Sequence, residues 1–90
     1  MLTKNIVVKN KAGLHAKPAS LFVETANEFS SEIYISKGSM RVNAKSIMGV
    51  MILAVSKGDE ILLEVNGDDE KAAMDRLTAL IDNKFGLPDE

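Results

Sequence analysis

At Ala16 the hydrophobic period of this chain changes, and that change constrains the fold more than any other feature of its 90 residues. Ahead of it, Leu2, Ile6 and Val8 share one side of an extended segment, "IVVK" entered from Leu2, which reads as a strand. Beyond it, Ala19, Phe22, Ala26 and Phe29 recur at helical spacing and form one apolar stripe. The turn "NKAG", closed by Gly13, joins the two. Pro18 falls in the first helical turn, where its missing N–H removes nothing the helix needs. The spacing runs this helix from about Ala16 to the "SS" before Glu32.

The remaining elements follow by the same reasoning. "EIYIS" (Glu32 to Ser36) alternates as a strand, "KGS" turns around Gly38, and "MRV" is a short return strand. A helix of nine or ten residues begins near Ser46, a preferred type of N-cap residue, and stops before Gly58. Glu60 to Val65 is a strand with Ile61, Leu63 and Val65 on one face. "NGDDE" then turns the chain, Asp68 or Asp69 caps a last helix striped by Ala73, Leu77, Leu80 and Ile81, and Gly86 with Pro88 stops it. The order βαββαβα predicts an α+β fold: a four-stranded antiparallel sheet with three helices on one face. One domain over residues 1–90, with a single core, is what this length allows.

Charge and composition exclude several function classes. The net charge is −2, and the 11 basic residues are spread along the chain rather than gathered into the stripe that nucleic acid requires. Aromatics are limited to Phe22, Phe29, Tyr34 and Phe85, and the phenylalanines suit the core. A small RNA-binding α/β domain would need a basic sheet face and stacking aromatics, and neither is found. No cysteine is present for a disulfide or a thiolate metal site. No apolar run approaches the roughly 20 residues that span a bilayer, so no membrane insertion is expected. "MLTKNIVVKN" lacks the apolar core and cleavage site of a signal peptide, which makes a cytoplasmic location the expectation.

The only histidine, His15, lies in "NKAGLHAKPAS", at the handover from strand to helix. The first N–H groups of a helix have no intrahelical partners, and the macrodipole adds about half a positive charge there, which makes an anion site. His15 puts an imidazole, a nucleophile when neutral, beside that site, and Lys17 adds a cation. A phosphoryl group on the ring would rest against free amides and Lys17 while staying shallow enough to leave. The same position also suits a solvated surface histidine or a plain cap. Serine- or cysteine-type catalysis lacks a second histidine and any cysteine, and a metal would have only one imidazole. Neither metal nor cofactor is expected.

"GLHAKPA" resembles the active-site signature of the histidine-containing phosphocarrier family, HPr, of the phosphoenolpyruvate-dependent sugar phosphotransferase system. "ASLFVETANEFSS", "VNAKSIMGVMILAVSKGDEI" and "NGDDEKAAMDRL" resemble it at matching positions, so the likeness covers residues 3 to 85. The resemblance implies an open-faced β-sandwich and a phosphoryl relay. Enzyme I would phosphorylate Nδ1 of His15, with the Ala16 and Lys17 amides holding the phosphate, and sugar-specific IIA components would receive it. The protein would be a covalent intermediate, not a turnover enzyme. Lys17 departs from the family's usual arginine: the charge survives, but the planar fork that grips phosphate twice does not. Ser20 stands where alanine-like residues are usual, on a partly exposed turn.

"NAKSIMGVM" resembles the Gram-positive segment carrying a regulatory serine, which implies phosphorylation of Ser46 by HPr kinase/phosphorylase. The modified form would serve a catabolite-control transcription factor as corepressor. As a residue alone, Ser46 reads as an ordinary N-cap. Ile47 and Met48 are adjacent, so both cannot face the core of a short helix. At least one is expected, with Met51, in an exposed apolar patch beside His15 that docks partners together with Ala16 and Ser20. The alternative function is a regulatory corepressor module acting mainly through Ser46, with transfer weakened by Lys17. Family regulators of that kind lack the histidine, and this chain keeps it.

Overall fold

The computed structural model describes residues 1–88. Strands β1 (Leu2–Val7), β2 (Glu32–Lys37), β3 (Met40–Asn43) and β4 (Glu60–Asn66) form one sheet in the order β1-β4-β2-β3. Every neighbouring pair is antiparallel. Helices α1 (Ala16–Ala26), α2 (Ile47–Ile52) and α3 (Glu70–Asp82) follow β1, β3 and β4, so the expected order is present.

Register explains why only one face of the sheet is covered. Ile6 lies opposite Ile61, Leu63 opposite Ile35, and Val65 between Leu2 and Ile33. Ile33, Ile35, Ile61, Leu63 and Val65 are buried, while the alternate residues Thr3, Asn5, Glu32 and Glu60 are exposed. Phe22 of α1 and Leu77 and Ile81 of α3 fill the space over the apolar face and are buried with it. Each such side chain taken from water contributes about 1.5–3 kcal/mol. The result is an open-faced sandwich. On its bare face the Arg41 guanidinium lies 3.8 Å above the Tyr34 ring and pairs with Glu64 at 2.9 Å.

Two helices are shorter than their periodicity suggests. α1 stops at Ala26, not at Ser30 and Ser31, because Asn27 caps it: the Asn27 N–H and Nδ2 both donate to the Val23 carbonyl, at 3.0 and 2.9 Å. Phe29 still packs half-buried against the core from the turn beyond. α2 has six residues and ends far short of Gly58. Its exit is fixed by Ala54, in the left-handed region at φ +53°, after which Val55 turns into the core. α3 ends at Asp82, before the glycine and proline, and a single 3-10 turn (Lys84–Gly86) tucks Phe85 back into the core.

The capping role expected of Asp68 or Asp69 also needs correction. Asp69 occupies the N-cap position of α3, but its carboxylate makes no bond to that helix. It accepts instead from the backbone N–H groups of Ser30 and Ser31, at 2.9 and 3.0 Å, and from both serine hydroxyls. The turn after α1 is thereby stapled to the start of α3. These hydrogen bonds, the Ser31 hydroxyl foremost, lower the Asp69 carboxyl from 3.8 to about 2. A carboxyl with a depressed folded-state pKa stabilises fully above its unfolded value and loses that contribution as pH falls toward the folded one. Stability should therefore decline between about pH 4 and pH 2, and Asp69→Asn should flatten that limb in chemical-denaturation curves measured across the range.

Candidate functional site

The approach to His15 is held from both sides. In the turn ahead of it, the Gly13 N–H donates to the Asn10 carbonyl at 3.1 Å, and Asn10 Nδ2 donates to the Gly13 carbonyl at 2.9 Å. Gly13 sits at φ +60° against the segment after α2, where a Cβ would clash with the Val55 carbonyl oxygen and come within 2.9 Å of Ser56 Cα. Only glycine combines that backbone angle with that approach. Next, the Leu14 N–H donates to the Val55 carbonyl at 3.0 Å, and the Leu14 side chain is fully buried.

Val55 is itself pinned. Lys37 Nζ donates to the Ala54 carbonyl at 2.9 Å and pairs with the Asp59 carboxylate at 3.0 Å. Asp59 Oδ2 accepts from the Ser56 N–H at 2.8 Å. That backbone hydrogen bond, and then Lys37, hold the Asp59 carboxyl below the ordinary aspartate value. At its other end α1 meets the residue ahead of α2, where Asn27 Nδ2 donates to the Lys45 carbonyl at 3.2 Å. α1 and α2 therefore lie side by side in opposite directions.

His15 is the N-cap residue of α1, with extended backbone at φ −121° and ψ 158°. Its half-buried side chain makes no capping hydrogen bond, which leaves the helix mouth free to meet an outside acceptor. Ala16 follows at φ +52°, a left-handed conformation that costs a non-glycine residue about 1–3 kcal/mol. Ala16 and Lys17 are exposed, while Pro18 and Ala19 turn inward. Ser20 is half-buried in the second turn of α1, in keeping with the partly exposed turn expected for it. With Val23 and Glu24 it lines an open depression shared with Ile47 of α2.

Ser46 caps α2, its hydroxyl accepting from the Gly49 N–H at 3.2 Å. Ile47 and Met48 are both exposed, at 42% and 72%, and Met51 and Ile52 join them at 42% and 61%. Val50 alone of α2 is fully buried. The helix thus presents an apolar ridge beside α1, of the kind that marks an interaction surface. The antiparallel arrangement sets Ser46 near the far end of α1 from His15. The 11 residues of that helix put the two roughly 16 Å apart at 1.5 Å of rise per residue.

Structure therefore brings His15, Ala16 and Lys17 together and places Ser20, Ile47, Met48 and Met51 along the neighbouring ridge. Sequence reasoning missed Ile52, Asn10, Lys37 and Asp59. For Asn10 a signal existed, an asparagine three residues before a glycine being a common turn pattern. Lys37 and Asp59 meet only through the sheet and leave no local pattern. No group of three or more metal-ligating side chains occurs among the described residues, and none of their helices is long and apolar enough to cross a membrane.

Comparison with known proteins accords with this geometry. Residues 2–83 match the family model described as the phosphotransferase-system HPr component phosphorylation site. The phosphocarrier protein HPr of Neisseria meningitidis serogroup A is 50% identical over 86 residues, covering 96% of this chain and 97% of its own. The HPr-like protein Crh of Halalkalibacterium halodurans is 51% identical over 84 residues, 93% of this chain and 100% of its own. Among solved structures, HPr from Thermoanaerobacter tengcongensis superposes with a TM-score of 0.95 at 52% identity, covering 98% of this chain and 99% of that one. With the fold, the histidine at the helix mouth and these likenesses in agreement, the chain belongs to the HPr phosphocarrier family of the phosphotransferase system.

Proposed function

We propose that this protein is a phosphocarrier that accepts a phosphoryl group from enzyme I on Nδ1 of His15 and passes it to sugar-specific IIA components in the cytoplasm. The observation that carries the reading is an imidazole at an uncapped helix mouth, in a chain of this family. The ring attacks phosphorus as the bond to the donor breaks, and the new phosphate meets the first N–H groups of α1 at Ala16 and Lys17. Partial exposure lets the group leave again, so the protein is a covalent intermediate and not an enzyme with its own turnover. Incubation with phosphoenolpyruvate and enzyme I tests acceptance. A mass gain of one phosphate that is lost in acid supports the reading, and an unmodified protein contradicts it.

Lys17 supplies charge without the fork of arginine. Lys17→Arg should therefore speed transfer, and Lys17→Ala or Lys17→Glu should slow it. A charge-assisted hydrogen bond is worth about 1.5–3 kcal/mol, so changes of about tenfold or more are expected in stopped-flow transfer rates. Equal rates in all variants would show that position 17 does not touch the phosphate.

Regulation is assigned to Ser46, as substrate of HPr kinase/phosphorylase, with a catabolite-control transcription factor as a partner of the modified form. The roughly 16 Å to His15 exceeds the Debye length of about 8 Å at physiological salt. A phosphate on Ser46 thus acts on partners docking over Ile47 and Met48 more than on the imidazole. Aspartate is as good an N-cap as serine, so Ser46→Asp should leave the thermal midpoint unchanged or slightly raised. Phosphorylation by enzyme I should slow, and slow less at high salt. Clear destabilisation, or slowing that salt does not relieve, would remove the electrostatic account. A second reading, a corepressor module acting mainly through Ser46, draws on Lys17 and on the likeness to Crh. Fast transfer by the unmodified protein would set it aside.

A further inference from the structure

We propose that Asn10 is a positioning residue for His15, acting through Gly13, an inference that rests on His15 being the phosphoryl acceptor. Asn10 is 3% exposed and holds both polar backbone groups of Gly13: its carbonyl takes the Gly13 N–H and its Nδ2 donates to the Gly13 carbonyl. Only the first of these bonds is available to every residue type. The second needs a short side chain with a donor at its tip. Among the described residues Asn10 Oδ1 is buried without a partner, so the side chain's hydrogen bonding there is directed at Gly13.

Gly13 in turn lies against Val55 and Ser56, and Leu14 is tied to the Val55 carbonyl. The ring of His15 hangs from the next residue, with no side-chain bond of its own to the helix and with Ala16 beyond it in the left-handed region. An imidazole with no capping hydrogen bond takes its position in large part from the backbone that delivers it. Without the Asn10 clamp, the Gly13–Leu14 peptide is held at one end alone, by the Leu14 N–H on the Val55 carbonyl, so its plane can tilt about that bond and shift His15 behind it. Small displacements of a reacting atom are expensive in rate because transfer needs close alignment. The exposed ridge of α2 is untouched by this change, so docking and chemistry should separate.

The test compares wild type with Asn10→Ala, which keeps the backbone turn, and Asn10→Asp, which is isosteric but faces the Gly13 carbonyl with an acceptor. Both are measured below their thermal midpoints, and if the aspartate variant does not fold, the alanine variant decides. Phosphorylation by enzyme I should slow about tenfold at saturating donor, with less than a twofold change in the half-saturating concentration. In NMR spectra the His15 ring resonances should move while the Met48 methyl resonance stays. An unchanged maximal rate in the folded variant, a rise in the half-saturating concentration alone, or unmoved His15 resonances would overturn the proposal. Should wild type itself fail to be phosphorylated, the acceptor reading of His15 falls separately, and the ring resonances still decide whether Asn10 positions the side chain.

Discussion

Gly13→Ala is expected to destabilise the protein by about 3–5 kcal/mol, combining a left-handed alanine, overpacking against Val55 and Ser56, and loss of the Leu14–Val55 hydrogen bond. In a domain of this size, that lowers the thermal midpoint by more than about 10 °C. The obstacle at Gly13 is backbone, which cannot step aside as the end of a flexible side chain can. Gly38 supplies the control, because it has the same φ of +60° with nothing within 4 Å of the added atom. Gly38→Ala should thus show only the conformational part, about 1 kcal/mol. Calorimetry on both separates angle from approach. Equal midpoints for the two variants would mean that the contact with Val55 does not fix the turn before His15.

His15→Ala carries the largest functional effect: no acid-labile phosphate after incubation with phosphoenolpyruvate and enzyme I. Stability should change little, within about 0.5 kcal/mol, because the side chain is half-buried and makes no capping bond. The two glycine variants and this one divide the region cleanly. Glycine at 13 shapes the approach, and histidine at 15 is the proposed phosphoryl acceptor. Labelling that survives His15→Ala would place the acceptor elsewhere.

Alternation and helical spacing disclosed the sheet and helices because the inner strands β2 and β4 each have one buried and one more open side, as Ile33 and Ile35 against Glu32 show. Element ends were less legible. α1 stops at Ala26, where the Asn27 side chain closes the last turn and also reaches the Lys45 carbonyl. α2 stops at Ile52, ahead of Ala54, whose carbonyl accepts from distant Lys37, and no hydrophobic periodicity records these contacts. Asp69 looked like a cap because of its position, yet its oxygens serve Ser30 and Ser31 across the structure. His15, Lys17 and Ser46 were legible because each lies at a helix start, where sequence and physical consequence coincide. Asn10, Lys37 and Asp59 became visible only when folding brought them to Gly13, Ala54 and Ser56. The exposed ridge was half-read: adjacency forced Ile47 or Met48 outward, while Ile52 was concealed by the expectation of a longer helix.

In the proposed role, the phosphate taken up on His15 is handed on. A chase measures this most directly: protein labelled from phosphoenolpyruvate and enzyme I, freed of both, is mixed with a sugar-specific IIA component. Label is expected to leave His15 and appear on the IIA component in equal amount, within seconds and without released inorganic phosphate. Label that stays on the protein, or that appears only as free phosphate, would contradict it.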